Sequence, residues 1–446
     1  TSGAREVVDE DKATTMIGKW RDQLHTHRQA HPSESVLCDK IVLTSKSYTS
    51  AAAKKIQTFL TSSDEFQPPI ASGVSVADLS DIIASRMEEE GLDVLNTISE
   101  TFKDSKNLVE VDLSDNAMGS KGVSACETVL SNPSLERLSL CNNGLSEYTM
   151  NEVAELLTKQ DEDGCIAQNL TQIHFFNNMS GPKGCEAFAK IMEKCTKNKL
   201  TDIRFSSTRA GPEGSVHIAT ALNSLAEGDN LKNLVKLDLL DNSFQKEESY
   251  KNLANAFKQC PKLKHLNLRD CMLEDEGIKQ VCNALASAKL VSLDISGNEI
   301  TAKGARSVAK LIRNVNPTIE DFKAEENEMT SYGVRSIMNA IDAPELKSLV
   351  LNSNECGNIG GQAILESVQQ DRIPKLGKIE LDINMFQGDV MESLIETFGE
   401  KLAEMDDNDD DEDVDEDLEE EESSDDEGEQ DNDIDALTGS LQKVSI

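Results

Sequence analysis

The sequence lacks several features that would assign it to a familiar functional class. No apolar run approaches the ~18 residues of a membrane-spanning helix, and nothing resembles a signal peptide. The ten cysteines are scattered without a CxxC pair, which is typical of reduced thiols in an intracellular protein. No nucleophile elbow, phosphate loop, zinc cluster or pair of catalytic carboxylates stands out. These absences favour a binding protein over an enzyme with an active site of its own.

Acidic residues outnumber basic ones and dominate the end of the chain. Asp and Glu total 82 against 44 Lys and Arg, which gives a formal net charge of −38 over 446 residues. The segment 406–435 holds 21 acidic residues and no Lys or Arg, which leaves −17 on the remainder. This balance argues against a nucleic-acid partner and favours a basic protein surface.

A motif recurs ten times, at spacings of 27 to 35 residues. Each copy has an apolar anchor residue, and another apolar residue lies two positions before it, which predicts a short strand. A turn and about fifteen residues with helical apolar spacing follow. The anchors are Leu113, Leu140, Phe175, Phe205, Leu239, Leu268, Ile295, Ala324, Leu351 and Leu381. The pattern predicts an α/β leucine-rich-repeat solenoid, a ribonuclease-inhibitor-like horseshoe in which parallel strands line a concave face.

Two columns of residues follow each strand. The third residue after the anchor is Asn in eight of ten copies, with Thr208 and Cys271 as exceptions, and we expect it to turn inward and bond backbone groups of adjacent turns. The second residue after the anchor should face outward at the edge where strands become loops. Because that column mixes residue types, including Asp115, Asn142 and Asn177, we expect it to be free of the structural demand that the ladder makes on the inward column.

The regular repeats have appendages at both ends. Two divergent repeats, at 40–60 and 74–102, bring the total to about twelve, and the second should have a helix from about Leu92. Before these repeats, one face of a predicted helix is apolar, formed by Met16, Ile17, Trp20 and Leu24. We expect Trp20 on this face to cap the first repeat. We therefore divide the chain into an N-terminal segment 1–37, a repeat domain 38–405 and a disordered acidic tail 406–446.

Histidines and serines at the two ends each have two interpretations. His25, His27 and His31 invite a metal site, but they lack partners at ligand spacing, so a solvated segment without metal is the alternative. Ser423 and Ser424 each precede an acidic residue by three positions, which suits phosphorylation by an acidophilic kinase. The alternative there is a merely solvating tail.

Four runs in register resemble the Ran GTPase-activating proteins, especially the plant members: LSDNAMG at 113–119, LCNNG at 140–144, FFNNMSGPKG at 175–184 and FSSTRAG at 205–211. With the acidic tail, the resemblance covers about residues 38 to 435. It implies that the protein stimulates GTP hydrolysis on the small GTPase Ran, in support of nucleocytoplasmic transport. It implies no cofactor of its own, because GTP and Mg²⁺ are bound by the partner.

The resemblance also implies a mechanism without an arginine finger. Ran supplies its own catalytic glutamine, and an asparagine on the repeat edge holds that glutamine in place; the matching residue is Asn142. A neutral amide can donate and accept at once, which suits it to fixing a glutamine and hence the attacking water. Its column neighbours Asp115 and Asn177 are further candidates for contacts with Ran.

Two arginines match basic residues of the family. Arg86 and Arg209 lie two repeats to either side of Asn142 on the same edge, about 10 Å away along the concave face. The alternatives are a solvated loop charge for Arg86 and a local pair with Glu213 for Arg209. Glu88 occupies a position that is basic in some members, which puts that contact in doubt.

Neither the plant Trp-Pro-Pro targeting domain nor the sumoylated domain of animal members is visible. The protein is therefore expected either free in the cytoplasm, or at the outer face of the nuclear envelope through a segment preceding Thr1. GTP-bound Ran, alone or with a Ran-binding protein, is the expected partner of a monomer without membrane insertion.

Two other classes of protein share this layout. Acidic leucine-rich proteins of the histone-chaperone or phosphatase-inhibitor kind also join repeats to an acidic tail, but their repeats are shorter, about 24 residues. A ribonuclease-inhibitor-like scaffold has a similar repeat length and much more cysteine. A binding scaffold of the first kind is therefore the alternative to the GTPase activator.

Overall fold

A computed structural model describes residues 5–31, 38–162 and 164–408. Twelve strands pair in parallel and in chain order, so each strand has its sequence neighbours beside it. We number the repeats 1 to 12 by these strands, which are Lys40–Val42, Val76–Asp78, Glu110–Asp112, Arg137–Ser139, Gln172–Phe176, Asp202–Ser206, Lys236–Asp238, His265–Asn267, Ser292–Asp294, Asp321–Lys323, Ser348–Val350 and Lys378–Glu380. The predicted leucine-rich-repeat solenoid and its repeat number are confirmed.

The helices form a second layer, and each packs against the helices of neighbouring repeats. The principal helix of each repeat, in the same order, is Ser50–Thr61, Glu88–Glu100, Gly119–Ala125, Glu147–Thr158, Gly181–Lys194, Gly211–Glu227, Glu247–Phe257, Glu274–Ala284, Ala302–Val315, Thr330–Ala340, Asn358–Gln369 and Gly388–Phe398. Shorter helices lie at Ile70–Gly73, Glu127–Leu130, Ile166–Asn169 and Gly399–Lys401. The repeat 2 helix begins at Glu88, earlier than the expected Leu92, because three glutamates in its first turn favour a helix N-terminus.

The core runs between the two layers along the length of the solenoid. In repeats 5 and 6 it is aromatic: Phe175, Phe188 and Phe205 are fully buried, and the rings of Phe188 and Phe205 stack with centroids 4.0 Å apart. All ten cysteines are free thiols, and eight of them are buried. None of the described helices has the length and hydrophobicity needed to span a bilayer.

The inward asparagines form the expected ladder. The Nδ2 group of Asn143 donates to Leu113 O in the preceding repeat at 3.1 Å, and its Oδ1 accepts from the backbone N–H of Asn116 at 2.9 Å. Asn178 repeats the pattern one turn later by donating to Leu140 O at 3.0 Å. In repeat 8 the thiol of Cys271 replaces the amide and lies 3.2 Å from Leu239 O. The ladder thus fixes the loop that follows every strand of repeats 3 to 5, where the predicted site lies.

The N-terminal segment is structured where it is described. Strand Glu6–Val8 pairs in parallel with Lys46–Tyr48, and helix Glu10–Ala30 packs against the repeat 1 helix. The Trp20 ring lies 6.5 Å from that of Phe59, which covers the first repeat as its apolar stripe suggested.

The last repeat is closed by the residues that follow it. Leu402 forms a parallel bridge with Ile379, and Asn408 exchanges two hydrogen bonds with the backbone of Phe386, at 3.3 and 2.8 Å. Asp406 to Asn408 therefore extend the repeat structure beyond the boundary expected at residue 405. The rest of the acidic tail, with Ser423 and Ser424, lies outside the described residues.

Candidate functional site

The outward column at the carboxyl ends of the strands has one backbone conformation throughout. All twelve of its residues have φ between 51° and 63°, in the left-handed region. They are Ser45, Asp81, Asp115, Asn142, Asn177, Ser207, Asp241, Asp270, Gly297, Glu326, Ser353 and Ile383. The side chains of Asp115, Asn142 and Asn177 are exposed and take no part in the inward ladder, but the column carries a different demand, on its backbone conformation. Small polar residues predominate in it because Asn, Asp and Gly tolerate this conformation best.

Hydrogen bonds between repeats hold the column in place. The backbone N–H of Asn142 donates to Phe176 O at 2.7 Å, and that of Asp115 donates to Cys141 O at 2.9 Å. The Phe176 ring is covered in turn by the guanidinium of Arg204, whose Cζ lies 3.8 Å from the ring centroid. The backbone under Asn142 is thus fixed from the neighbouring repeat, while its side chain is exposed.

The side chains of three successive column residues form a hydrogen-bonded row. Asn142 Nδ2 donates to Asp115 Oδ1 at 2.7 Å, and Asn177 Nδ2 donates to Asn142 Oδ1 at 2.9 Å. We call these three residues the edge triad. Since a primary amide has two N–H donors and an oxygen with two lone pairs, Asn142 keeps one donor and one acceptor site for another molecule. The predicted candidates Asp115, Asn142 and Asn177 are brought together.

Arg86 lies on the same edge in repeat 2, but it is not the solvated loop charge considered as its alternative. Its side chain is 16% exposed, and Nη1 lies 3.4 Å from Glu90 Oε2. Its Nε is buried and has no hydrogen-bond partner among the described residues. Nearby Glu88, at the position that is basic in some members of the resembling family, forms an ion pair with Lys121. Arg86 would have to leave Glu90 to reach a partner protein.

Arg209 lies on the edge in repeat 6 and is exposed, with φ at 60°. Its alternative, a local pair with Glu213, is wrong, because Glu213 binds Lys246 Nζ at 2.8 Å and this ion pair lowers the Glu213 pKa. Arg209 makes no ion pair with any residue in the described part of the chain. It is a cation available to a partner, two repeats from Asn142.

The sequence does not reveal three exposed apolar side chains, which lie in repeats 2, 4 and 5. Met87, Tyr148 and Met179 are 80%, 74% and 51% exposed. Met179 N donates to Leu145 O at 3.1 Å, so its loop runs directly beside the start of the Tyr148 helix. Apolar residues near a helix start are normally assigned to the core, so only the structure reveals that these side chains are exposed.

The concave face next to the triad is acidic on one side. Burial raises the pKa of Asp112, and the negative charges of Asp78 and Asp115 raise it further. Within the described ranges, no three His, Cys, Asp or Glu side chains are grouped as a metal site requires. His25, one of the candidate ligands, instead lies 2.8 Å from Glu65 Oε1.

The comparisons with known proteins agree with the architecture. Residues 104–125, 259–282 and 286–309 match a family model described as Leucine Rich repeat. The fold and these matches define the chain as a leucine-rich-repeat protein of the α/β solenoid class.

The chain is similar in sequence to proteins whose names indicate different functions. Ran GTPase-activating protein 1 of Saccharomyces cerevisiae is 24% identical over 307 residues, which are 62% of this chain and 62% of that protein. RAN GTPase-activating protein 1 of Arabidopsis thaliana is 31% identical over 141 residues, 31% of this chain and 23% of that protein. Human NACHT, LRR and PYD domains-containing protein 13 is 23% identical over 296 residues, 61% of this chain and 27% of that protein. The chain thus spans about a quarter of the length of the last two relatives.

Proposed function

We propose that the protein is a GTPase-activating protein for Ran, which uses Asn142 to position the catalytic glutamine of Ran. The observation that carries the proposal is the exposed Asn142 amide, held on a rigid repeat edge with one donor and one acceptor site unused. A glutamine side chain presents the complementary acceptor and donor. The similarity to two proteins named as Ran GTPase-activating proteins supports Ran as the partner.

The proposed contact surface extends from Asn142 in both directions along the edge. Tyr148 and Met179 would supply its apolar centre, since exposed aromatic residues and methionines are typical anchors of protein interfaces. Arg209 would supply a cation two repeats away, and Arg86 a second one after release from Glu90. The protein itself would bind no nucleotide or metal, because GTP and Mg²⁺ belong to Ran. The proposal implies a cytoplasmic location.

In this mechanism the activator adds no charge to the phosphates. The edge triad lowers the entropy cost of ordering the glutamine of Ran, and the glutamine in turn orients the attacking water. A preorganised neutral amide suits this role, because it presents both hydrogen-bonding groups without the desolvation cost of a charged side chain.

The experiment is single-turnover GTP hydrolysis by purified Ran with increasing amounts of the full chain. We expect strong acceleration by the natural sequence and its loss with Asn142→Ala, while binding to GTP-loaded Ran is retained. The matched control is Asp241→Ala, an exposed member of the same left-handed column three repeats away. The control should accelerate hydrolysis normally. Absence of acceleration by the natural sequence would refute the proposal.

A second function, an acidic scaffold for basic proteins, is favoured by one observation, the net charge of −38. It predicts salt-sensitive capture of core histones by the full chain and no effect on Ran. A pull-down with purified histones at low and high salt, run beside the hydrolysis assay, would distinguish the two functions.

A further inference from the structure

We propose that Asp115 is a positioning residue that sets the direction of the Asn142 amide, so that Asn142 presents its donor and acceptor to a partner in one arrangement only. The inference rests on the proposed function and adds a second residue to its mechanism. This role replaces the direct contact with Ran that the resemblance implies for Asp115, because here Asp115 acts through Asn142 and touches none of the reacting groups.

The direction of the row follows from the chemistry of its first member. An ionised carboxylate can only accept hydrogen bonds, so the neighbouring amide must turn its nitrogen toward Asp115. The oxygen of Asn142 then points the other way, and Asn177 meets it with its own nitrogen at 2.9 Å. Turning the Asn142 amide around would bring its oxygen against a carboxylate and its nitrogen against the donor of Asn177. One acid thereby orients two amides.

The row is confined to the part of the edge where Asn142 lies. Within the described ranges, no other two neighbours of the column share a hydrogen bond between their side chains. Elsewhere in the column, Ser207 is followed by Asp241 without such a bond. Farther along, the carboxylate of Asp270 lies over Gly297, so that a Cβ added to Gly297 would lie 2.0 Å from Asp270 Oδ1. The common backbone conformation therefore does not by itself produce the row; the residues of repeats 3 to 5 do.

The frame that holds Asp115 is rigid. Its φ is 63°, and its N–H donates to Cys141 O one residue before Asn142. The inward ladder residue that follows it, Asn116, is 3% exposed and bonded to the neighbouring repeats. Asp115 is exposed to solvent, so its role depends on the rigid backbone that holds it beside Asn142 and not on burial.

Orientation has a kinetic consequence. A free asparagine amide in water populates both directions and several rotamers, and only some of them can hold a glutamine productively. Loss of the acceptor at position 115 should lower the maximal hydrolysis rate at saturating activator by roughly 10-fold, since small misplacements of a positioning group cost one to two orders of magnitude. The concentration of activator that gives half the maximal rate should change by less than about 2-fold, because the contact surface is otherwise intact.

The test compares Asp115→Ala, Asp115→Asn and the control Asp241→Ala in the single-turnover assay with Ran. Asp115→Ala should give the full loss of maximal rate. Asp115→Asn should give an intermediate rate, because its amide can accept from Asn142 in one direction and donate to it in the other. A normal maximal rate for Asp115→Ala would overturn the proposal, and so would a change confined to the half-maximal concentration, since that is the signature of a direct contact with Ran.

A readout without Ran separates this inference from the proposed function. In protein labelled with ¹⁵N at asparagine, the Nδ2 resonances of Asn142, assigned with Asn142→Ala, report the hydrogen bond to the carboxylate directly. They should shift in Asp115→Ala and stay in place in Asp241→Ala. Unchanged resonances would refute the row itself. Shifted resonances with no acceleration of hydrolysis by the natural sequence would leave the row intact and overturn both its role in catalysis and the proposed function.

Discussion

Substitution of one ladder asparagine, Asn298→Ala, should destabilise the solenoid far more than a typical polar substitution. Asn298 is fully buried, and its Nδ2 donates to Leu268 O at 2.8 Å while its Oδ1 accepts from the N–H of Leu273 at 3.2 Å. Neither of these backbone groups has another hydrogen bond to a described residue. Each buried group left unpaired costs about 1–3 kcal/mol, so the two groups together give an expected loss of about 2–6 kcal/mol in the free energy of unfolding.

Urea unfolding measures this loss with two probes. Far-UV circular dichroism follows all the repeats, and the fluorescence of Trp20 follows the N-terminal end, because it is the single tryptophan. If the solenoid unfolds cooperatively, both transitions shift together in Asn298→Ala; if it unfolds in parts, only the dichroism shifts. The control is Glu299→Ala, an exposed neighbour, with an expected change within about 0.5 kcal/mol. A loss below about 1 kcal/mol for Asn298→Ala would refute the account of the ladder.

Three further predictions concern the edge and its charges. Tyr148→Ala should weaken binding to GTP-loaded Ran by about 10-fold in a titration while the maximal hydrolysis rate stays the same; an unchanged affinity would remove Tyr148 from the surface. Asp112→Asn should raise the free energy of unfolding at pH 7, because burial raises the folded-state pKa of Asp112 and its charged form destabilises the fold above that pKa. This gain in stability should vanish as the pH falls below the ordinary carboxyl range. A gain that does not change with pH would contradict this origin. Ile383→Asn should stabilise by about 0.5–1 kcal/mol in thermal unfolding, because a β-branched residue is strained at φ 56°, whereas Ile395→Asn, in a helix, should not.

The repeat frame could be predicted residue by residue because its signal is periodic. Strand positions such as Leu138 and Ile173, and the inward column of Asn143, follow from burial that recurs in every copy. The left-handed column was not foreseen, since Glu326 and Ile383 adopt the same conformation as asparagine and glycine. A backbone conformation shared by all repeats restricts the residue type at a position less than burial does, so it is harder to recognise in the sequence.

The candidate site was predictable as a set of positions and not as an arrangement. The register placed Asn142 on the exposed edge between Asp115 and Asn177, as the structure shows. The hydrogen bonds among these side chains would be lost if the donor–acceptor distances were longer by less than about an ångström. Residue spacing in the sequence does not determine distances this finely. The burial of Arg86 against Glu90 and the exposure of Tyr148 likewise depend on packing between neighbouring loops.

We propose that an asparagine, with no arginine finger, makes this protein an activator of Ran. The most direct measurement is the maximal rate of GTP hydrolysis by Ran at saturating amounts of the full chain, compared between the natural sequence and Asn142→Ala. We expect strong acceleration by the natural sequence and its collapse in the variant, while Asn142→Ala still binds GTP-loaded Ran. Acceleration that survives the substitution would rule out Asn142 as the positioning residue and move the chemistry elsewhere on the edge, with Arg86 the next residue to substitute.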